Sequence, residues 1–224
     1  MTLSIAARFT EANLFGVAIA SSSPAVAARC AHARRGAGAV ATQNITDPSL
    51  GPQILDELGR GVSARVALDD ALRSTPFGAY RQLIVVGREG PPVVHSGAKA
   101  LGVAGSAIGV DAATAGNLLA HPEVPNAMLA AFIEASMEFP ARLLQALRAG
   151  VAAGGEAGPI HSAGLLVVRD VSWPIIDLRV DWADEDPVAE LTSLWERYQP
   201  QVEDYVRRAL DPAAAPGFGV PGDR

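Results

Sequence analysis

The sequence predicts an α+β fold in which two β-sheets pack face to face and helix pairs cover their outer sides, a four-layer αββα sandwich. Strand-like apolar runs occur in groups along the chain, and two amphipathic helical patterns follow each of the first two groups. A layered arrangement buries all these apolar faces. A doubly wound βαβ fold would instead alternate single strands with single helices.

Length and composition restrict the possible classes of protein. The chain has 224 residues, of which 49% are hydrophobic and 19% charged, so a large core can form and global disorder is excluded. We expect one domain over residues 1–210 and a flexible Pro/Gly-rich tail over residues 211–224. The net charge of −6, without a basic run, disfavours nucleic acid and anionic membranes as partners.

Three features of the sequence bear on the cellular location: its cysteine content, its N-terminal pattern and the length of its apolar runs. The chain has a single cysteine, Cys30, so it cannot form an intrachain disulfide. This low cysteine count fits a reducing compartment. The chain has neither a signal-peptide pattern nor an apolar run of membrane-spanning length. We therefore expect a cytoplasmic protein.

The first elements are predicted to be strands. Residues 2–8 alternate Leu3, Ile5 and Ala7 with smaller or polar side chains, which is the period of a half-buried strand. A polar turn follows at residues 11–13, and residues 15–20 are predicted to return as the second strand of a hairpin. Residues 36–43 form a further strand, whose small side chains permit close approach of another backbone or a ligand.

Two helices are predicted next. Asp47-Pro48 is typical of a helix start, and Gly59 to Gly61 would end that helix. Ser63 is predicted to begin the second helix, with four inward residues: Val66, Ala67, Ala71 and Leu72.

The second half repeats this order. Strands are predicted at residues 80–87, 93–97 and 106–111, and helices are predicted to open at Pro122 or Pro125 and at Pro140. The inward residues of these two helices are assigned as Met128, Leu129, Phe132, Ile133, Met137, Leu143, Leu144, Leu147 and Val151. A loop at residues 154–159 precedes a hairpin formed by residues 162–169 and 175–182.

A last helix is predicted to be capped by Asp186 and interrupted at Pro200. It carries large apolar residues at the end of a chain whose core is already well supplied. We therefore expect a homo-oligomer, a dimer or larger, with Trp195, Tyr198 or Tyr205 near the contact.

The start of the chain carries candidate chemistry. Thr2 is small enough that Met1 would normally be removed, which would leave a free α-amine beside the Thr2 hydroxyl. Such an amine titrates at about pH 7.7–8.0 and can accept the hydroxyl proton, so the pair contains both a nucleophile and its base. The alternative is that the chain begins Met-Thr without chemical consequence.

A nucleophile also needs oxyanion donors and substrate contacts. The backbone N–H groups of Gly36 and Gly38 could stabilise an oxyanion, or these glycines could serve tight packing. Asn117 could donate its amide to a carbonyl oxygen, or it could form a structural turn. Arg29 and His32 could lower the amine pKa or bind a substrate carboxylate, or they could belong to a solvated face.

Other polar residues give weaker signals. Ser162 and Asp177 lie near the starts of late strands, where supports for a nucleophile could lie, although Asp177 fits an exposed strand position better. Cys30 could be a nucleophile with His32 nearby, but a lone Cys in an apolar segment is usually buried and inert. The histidines lack metal-ligand spacing, so we predict no metal and no cofactor.

Four segments resemble an uncharacterised bacterial family, domain of unknown function 1028: residues 3–8 (LSIAAR), 38–44 (GAVATQN), 116–119 (GNLL) and 176–181 (IDLRVD). The resemblance covers Thr2 to about Tyr198. That family is placed among the N-terminal-nucleophile (Ntn) hydrolase-like proteins, of which proteasome β-subunits are the most similar in element order. Proteasome subunits use a lysine near the Thr, whereas the only lysine here, Lys99, lies far along the sequence.

The resemblance implies the Ntn type of αββα sandwich and hydrolysis of a small amide or peptide-like substrate through a Thr acyl-enzyme. We assign catalytic roles to Thr2, Asn117 and Gly38, and substrate-binding roles to Arg29, His32, Gln43 and Ser162. The alternative is a non-catalytic ligand-binding or assembly protein that keeps the sandwich. The resemblance does not specify a substrate.

Overall fold

The fold is given by a computed structural model that describes residues 2–220. Within that range, the strands are β1 (Thr2–Phe9), β2 (Leu14–Ser21), β3 (Ala31–Arg34), β4 (Gly38–Asn44), β5 (Arg81–Gly87), β6 (Val93–Ser96), β7 (Gly105–Ile108), β8 (Ala112–Asn117), β9 (Ser162–Val168) and β10 (Ile176–Val180). The helices are α1 (Val26–Cys30), α2 (Leu50–Gly59), α3 (Ala64–Arg73), α4 (Val124–Glu134), α5 (Phe139–Ala152), α6 (Pro187–Tyr198) and α7 (Val202–Leu210).

The strands form two antiparallel sheets. One has the order β10-β9-β2-β1-β8-β7, and the other has the order β3-β4-β5-β6. The predicted first hairpin is confirmed, with Leu3 opposite Ala20 and Arg8 opposite Phe15. Strand β1 lies inside its sheet because β8 pairs along its other edge.

Side-chain alternation along β1 separates two cores. Leu3 and Ile5 face α4 to α7, whereas Ala6 faces the second sheet. Helices α2 and α3 cover the outer side of the second sheet. The contact between the sheets is rich in alanines, Ala39 and Ala41 among them, and such small side chains let two sheets approach closely. The predicted α+β class with two antiparallel sheets is thus confirmed.

The sequence prediction missed strand β8. Its sequence, AATAGN, consists of small and polar residues that are all buried, so it has no alternation of apolar and polar side chains. The strand predicted at residues 106–111 ends at Ile108, and the Gly109 N–H donates to the Ala112 carbonyl in the turn. Asn117 is therefore the last residue of a strand, and the alternative of a structural turn is wrong.

Some predicted helix details are also wrong. Helix α2 begins at Leu50, two residues after the predicted start at Pro48, although Asp47 Oδ1 accepts from the N–H of Ser49 in the turn before it. In α3 the buried residues are Ala64, Ala67, Leu68 and Ala71. They follow the i, i+3, i+4, i+7 spacing of one face, which leaves Val66 exposed. Three other residues assigned inward are also exposed: Ile133, Met137 and Val151.

The C-terminal helices confirm one prediction and modify another. Asp186 caps α6 by accepting from the N–H groups of Val188 and Ala189 at 3.0 and 2.9 Å. Trp195 is buried in the core, so it is not spare apolar surface for a contact between copies. Tyr205 stacks on Tyr198 at 5.6 Å and is partly exposed, and the predicted oligomer stays a prediction.

Two further expectations concern membrane-spanning helices and the C-terminal tail. None of the helices in residues 2–220 is long and apolar enough to cross a membrane. Of the predicted flexible tail, residues 221–224 lie outside the described part of the chain, as does Met1.

Arg8 connects the two sheets at the far end of β1. Its guanidinium is buried, pairs with Asp111 at 2.8 Å, and donates to the carbonyls of Gly87 at 3.0 Å, Gly90 at 2.8 Å and Val110 at 3.2 Å. A buried cation is tolerated only with such complete pairing.

We predict that Arg8→Ala lowers the free energy of unfolding by about 3 kcal/mol, because carbonyls of both sheets lose their donor. The control is Arg34→Ala, which breaks an exposed pair with Asp56 and should cost under about 1 kcal/mol. Urea denaturation measures both values. Equal losses in the two variants would contradict the assigned role of Arg8.

Candidate active site

A chain of buried polar side chains joins the two sheets near the start of β1. Ser4 Oγ donates to Gln43 Oε1 at 2.6 Å, and Gln43 Nε2 donates to Gln82 Oε1 at 2.7 Å. Asn117 Nδ2 donates to the same Gln82 oxygen at 3.1 Å. All four residues are at most 1% exposed, so this network belongs to the interior.

The network determines which side-chain atom of Asn117 has no hydrogen-bond partner among the described residues. Gln82 Nε2 already donates to Ser96 Oγ and to the Gly116 carbonyl, both at 2.9 Å, so its oxygen must face Asn117 Nδ2. Asn117 Oδ1 has no hydrogen-bond partner among the described residues. The predicted role of Asn117 as an amide donor is thus modified, because the unused atom is an acceptor.

Thr2 lies directly beside this network. It is the cross-strand partner of Asn117, is only 5% exposed, and its Oγ1 lies 3.4 Å from Ser21 Oγ. Ser21 Oγ is 2.9 Å from Ser23 Oγ, to which Arg29 Nη2 donates at 3.4 Å. A chain of hydroxyl groups therefore leads from Thr2 to a guanidinium.

Ser162 and Arg29 hold the bend that carries these serines. Ser162 Oγ donates to the Ser23 carbonyl at 2.6 Å and accepts from the Val26 N–H at 3.2 Å. Arg29 Nη1 donates to the carbonyls of Pro24 and Ala25 at 2.8 and 3.1 Å. Both side chains are close to the Thr2 end of β1, but their hydrogen bonds are used to shape the backbone.

Glu156 is a buried acid that the sequence analysis did not single out. It is 5% exposed, and its Oε2 accepts from the N–H of Ser22 at 3.1 Å. Its Oε1 has no hydrogen-bond partner within residues 2–220. Burial raises the pKa of this carboxyl to about 7, with smaller opposing effects from the positive charge of the N-terminus and from the Ser22 hydrogen bond. The only signal in the sequence was a lone acidic residue in the run GGEAG.

The loop around Glu156 is fastened to the chain that follows β8. Glu156 forms a β-bridge with Leu119, and the N–H of Ala157 donates to the Leu118 carbonyl at 2.9 Å. Gly154 and Gly155 precede it with φ of 113° and 59°, a backbone that other residues rarely adopt. Glu156 is therefore held in a defined position although it lies in a loop.

The structure does not bring Gly38 to Thr2. Gly38 pairs with Gly87, whose carbonyl accepts from Arg8. Arg8 lies six residues along β1 from Thr2, which is roughly 20 Å in a strand. Gly38 therefore cannot stabilise an oxyanion at Thr2. The same correction applies to Gly36, which is exposed in the connection between β3 and β4.

His32 faces away from Thr2. It pairs with Val40, which belongs to the core under α2, and its ring occupies the space beside Gly51 of that helix. Burial lowers the pKa of His32, and its Nε2 lies 3.3 Å from the Arg29 carbonyl. The proposed substrate contact of His32 is corrected to packing between β3 and α2. Gln43, by contrast, belongs to the network beside Thr2.

Cys30 has the character of a packing residue. It is a free, buried cysteine that packs with Ile19, Val26 and Ala27, and burial raises the pKa of its thiol. No group of three or more His, Cys, Asp or Glu side chains in the described range is arranged to bind a metal ion. Asp177 is exposed and pairs with Arg179 at 2.8 Å.

Several cavities lie outside the network of Ser4, Gln43, Gln82 and Asn117. One of about 300 Å³ is lined by the 154–158 loop and the start of α6, including Glu185. An apolar cavity of about 590 Å³ lies between α5 and the C-terminal helices, with Phe139 and Trp195 in its wall. Its lining contains no hydroxyl or thiol side chain.

The chain is similar to a protein family and to solved structures. A family model described as "Family of unknown function (DUF1028)" matches residues 2–191. The crystal structure of protein SPO2555 from Silicibacter pomeroyi, titled with the same family model, has a TM-score of 0.85 and 27% sequence identity. The match covers 92% of this chain and 94% of that one. No curated protein matches.

A more distant similarity is to Thiobacillus denitrificans BPH in complex with epoxomicin. The TM-score is 0.38 and the identity 14%, over 75% of this chain and 98% of that one. A likeness at this level carries no argument about fold or activity.

We predict that the buried carboxyl of Glu156 makes stability depend on pH. Its pKa is about 7 in the folded chain and about 4.3 when unfolded, so the folded state binds more protons between these values. The free energy of unfolding should therefore fall as the pH rises from about 4.3 to 7, by up to roughly 3 kcal/mol. Glu156→Gln should remove this loss, and urea denaturation at pH 5 and pH 8 measures it.

The exposed Glu185→Gln is the matched control and should follow the wild type at both pH values. If the stability difference between wild type and Glu156→Gln were the same at pH 5 and pH 8, the raised pKa of Glu156 would be refuted.

Proposed function

We propose that this chain, which belongs to DUF1028, a family of unknown function, is an N-terminal-nucleophile hydrolase of a small amide or peptide-like substrate. Thr2 becomes the first residue when Met1 is removed, and its hydroxyl is the nucleophile. Its α-amine is the base. Met1 lies outside the described residues, so its removal is part of the proposal.

One observation carries the proposal: two unpartnered buried oxygens lie around the Thr2 end of β1. They are Asn117 Oδ1 and Glu156 Oε1, neither of which has a hydrogen-bond partner in the described chain. Buried polar atoms are nearly always paired in folded proteins, and exceptions gather where a ligand or a reacting group will bind. A hydroxyl residue between two such acceptors supports a reactive Thr2.

The reaction follows from these groups. The Thr2 amine takes the hydroxyl proton as Oγ1 attacks the amide carbonyl carbon and forms a tetrahedral intermediate. The carbon–nitrogen bond then breaks, and the leaving amine takes that proton from the Thr2 ammonium group. Water, deprotonated by the same amine, attacks the carbonyl carbon of the Thr2 ester. The bond from that carbon to Oγ1 breaks, Oγ1 takes the proton back from the ammonium group, and the acid is released.

The oxyanion requires a donor in place of Gly38. Ser21 is the best candidate, since its hydroxyl lies 3.4 Å from that of Thr2. It is linked through Ser23 to Arg29, whose positive charge favours a developing negative charge. Gln43 and Ser162 keep supporting roles, through the inter-sheet network and the serine bend.

One observation favours the non-catalytic alternative. Thr2 is only 5% exposed in the chain that retains Met1, whereas a nucleophile must be accessible to its substrate. A ligand-binding or assembly protein that keeps the sandwich would need no such access. The two functions differ in whether the Thr2 hydroxyl forms covalent adducts.

We predict that the native protein lacks Met1 and that a β-lactone probe acylates it once. Intact mass spectrometry measures both events, and peptide mapping should locate the adduct on Thr2. Complete retention of Met1 in a protein that still reacts with the probe would refute an amine-activated Thr2.

We also predict that Thr2→Ala abolishes probe labelling and turnover, a loss of up to about 10⁶-fold for an essential nucleophile. Thr2→Ser should keep part of both, because it retains hydroxyl and amine and loses only the methyl group that restricts the rotamer. Labelling rates and product release measure the effects. The control, Cys30→Ser, changes a packing residue and should react nearly as fast as wild type.

An active Thr2→Ala variant together with an inactive Cys30→Ser variant would replace this mechanism by a thiol mechanism. Processed wild type that neither reacts with the probe nor turns over any amide would favour the binding function.

A further inference from the structure

We infer that Glu156 is the positioning residue for the α-amine of Thr2: its carboxylate holds and orients that amine when Thr2 is the first residue. This inference rests on the proposed function, because it concerns the same nucleophile. It assigns a role to a residue that lies in no recognised sequence motif.

The sheet topology puts Glu156 at the open end of β1. Strand β1 lies between β2 and β8, with Thr2 paired to Asn117 on one side and adjacent to Ser21 on the other. Glu156 contacts the continuation of both neighbouring strands. Its Oε2 accepts from the N–H of Ser22, one residue beyond β2, and its backbone bridges Leu119, two residues beyond β8.

Glu156 therefore lies across the gap from which β1 starts, with its carboxyl on the β2 side and its backbone on the β8 side. A chain that begins at Thr2 places its terminal nitrogen in that gap, because the strand direction leaves no other place for it. As an ammonium group this nitrogen has N–H donors and no acceptor. As a neutral amine it has two N–H donors and one lone pair.

Glu156 has an unused acceptor for this nitrogen. Oε2 is occupied by Ser22, whereas Oε1 is buried and unpartnered as far as the described residues go. Burial raises the pKa of the carboxyl to about 7, so its ionised form needs more stabilisation than the N-terminal charge and the Ser22 hydrogen bond provide. A charge-assisted hydrogen bond from the amine would supply it, and such bonds are roughly twice as strong as neutral ones.

The consequence for the reaction is a division of roles. The amine accepts the proton of Thr2 Oγ1 and becomes an ammonium group, and the adjacent carboxylate stabilises that charge until the proton passes to the leaving amine. Glu156 does not gain or lose a proton in this cycle. It directs the nitrogen lone pair toward the hydroxyl and raises the basicity of the amine.

Other charged groups border the same region. Arg29 reaches the serine bend through Ser23, and the His121 ring lies beside Gly154. Glu185 and Asp186 line the cavity on the outer side of the 154–158 loop, and Asp186 Oδ1 is engaged in capping α6. Glu185 therefore serves as a matched control: a nearby acid whose carboxylate is exposed and lies outside the site.

The test measures the pKa of the Thr2 amine itself. Cleavage of an N-terminal ubiquitin fusion gives a full chain that starts at Thr2, whether or not cells remove Met1. With ¹³C-labelled threonine, the pH dependence of the Thr2 Cα and Cβ resonances reports the amine pKa in wild type, Glu156→Gln, Glu156→Asp and Glu185→Gln.

We expect Glu156→Gln to lower the amine pKa by about one unit, a tenfold change in the protonation equilibrium, because it removes an opposite charge within contact distance. Glu156→Asp should restore part of the shift, and Glu185→Gln should match wild type. A structural role alone would change stability without moving this pKa. Circular dichroism shows whether Glu156→Gln folds. If it does not, Glu156→Asp takes its place, and its amine pKa must be lower than that of wild type by less than one unit.

An amine pKa that is the same in wild type and in every folded Glu156 variant would overturn the inference and leave the proposed function untouched. Failure of the proposed function is a separate result, namely the absence of probe adducts on a chain that begins at Thr2.

Discussion

Strand β1 is fastened at both ends to the second sheet, and the rest of the structure depends on those two attachments. At one end the Arg8 guanidinium donates to the Gly87 and Gly90 carbonyls, and at the other Ser4 donates to Gln43. Between them the contact between sheets consists largely of alanine and valine side chains, whose dispersion attraction has no direction. The polar ends therefore set the register in which the two sheets face each other.

This arrangement explains why the sequence predicted the layers well and the site only in part. The first hairpin, the Ser63 start of α3 and the Asp186 cap of α6 follow from local periodicity and capping chemistry, so they could be predicted from short segments. The strand AATAGN could not, because small residues buried on both faces carry no period. Thr2 could be proposed as a nucleophile because a hydroxyl residue directly after Met1 is recognised from its place in the chain alone.

The residues around Thr2 needed tertiary information. Gly38 and Gln43 belong to the same strand, and only the pairing register shows that Gln43 reaches Ser4 while Gly38 lies at the Arg8 end. Glu156 lies 154 positions from Thr2 along the sequence, in a glycine-rich loop whose composition suggests a simple connection. Its importance comes from burial and from the Leu119 bridge, which no local pattern records.

The two ends of β1 are both buried and polar, yet they differ in how completely they are paired. Arg8 uses its guanidinium on one carboxylate and three carbonyls, which is what stability alone requires of a buried charge. At the Thr2 end, an amide oxygen and a carboxyl oxygen lack partners within residues 2–220, and both lower the stability of the folded chain. Both unpaired acceptors gather around the residue that carries a hydroxyl and, after Met1 removal, an amine. Sites that break local rules without compensation are expected where function opposes stability. The proposed nucleophile therefore lies at the end of β1 where stability alone does not account for the pattern of buried polar atoms.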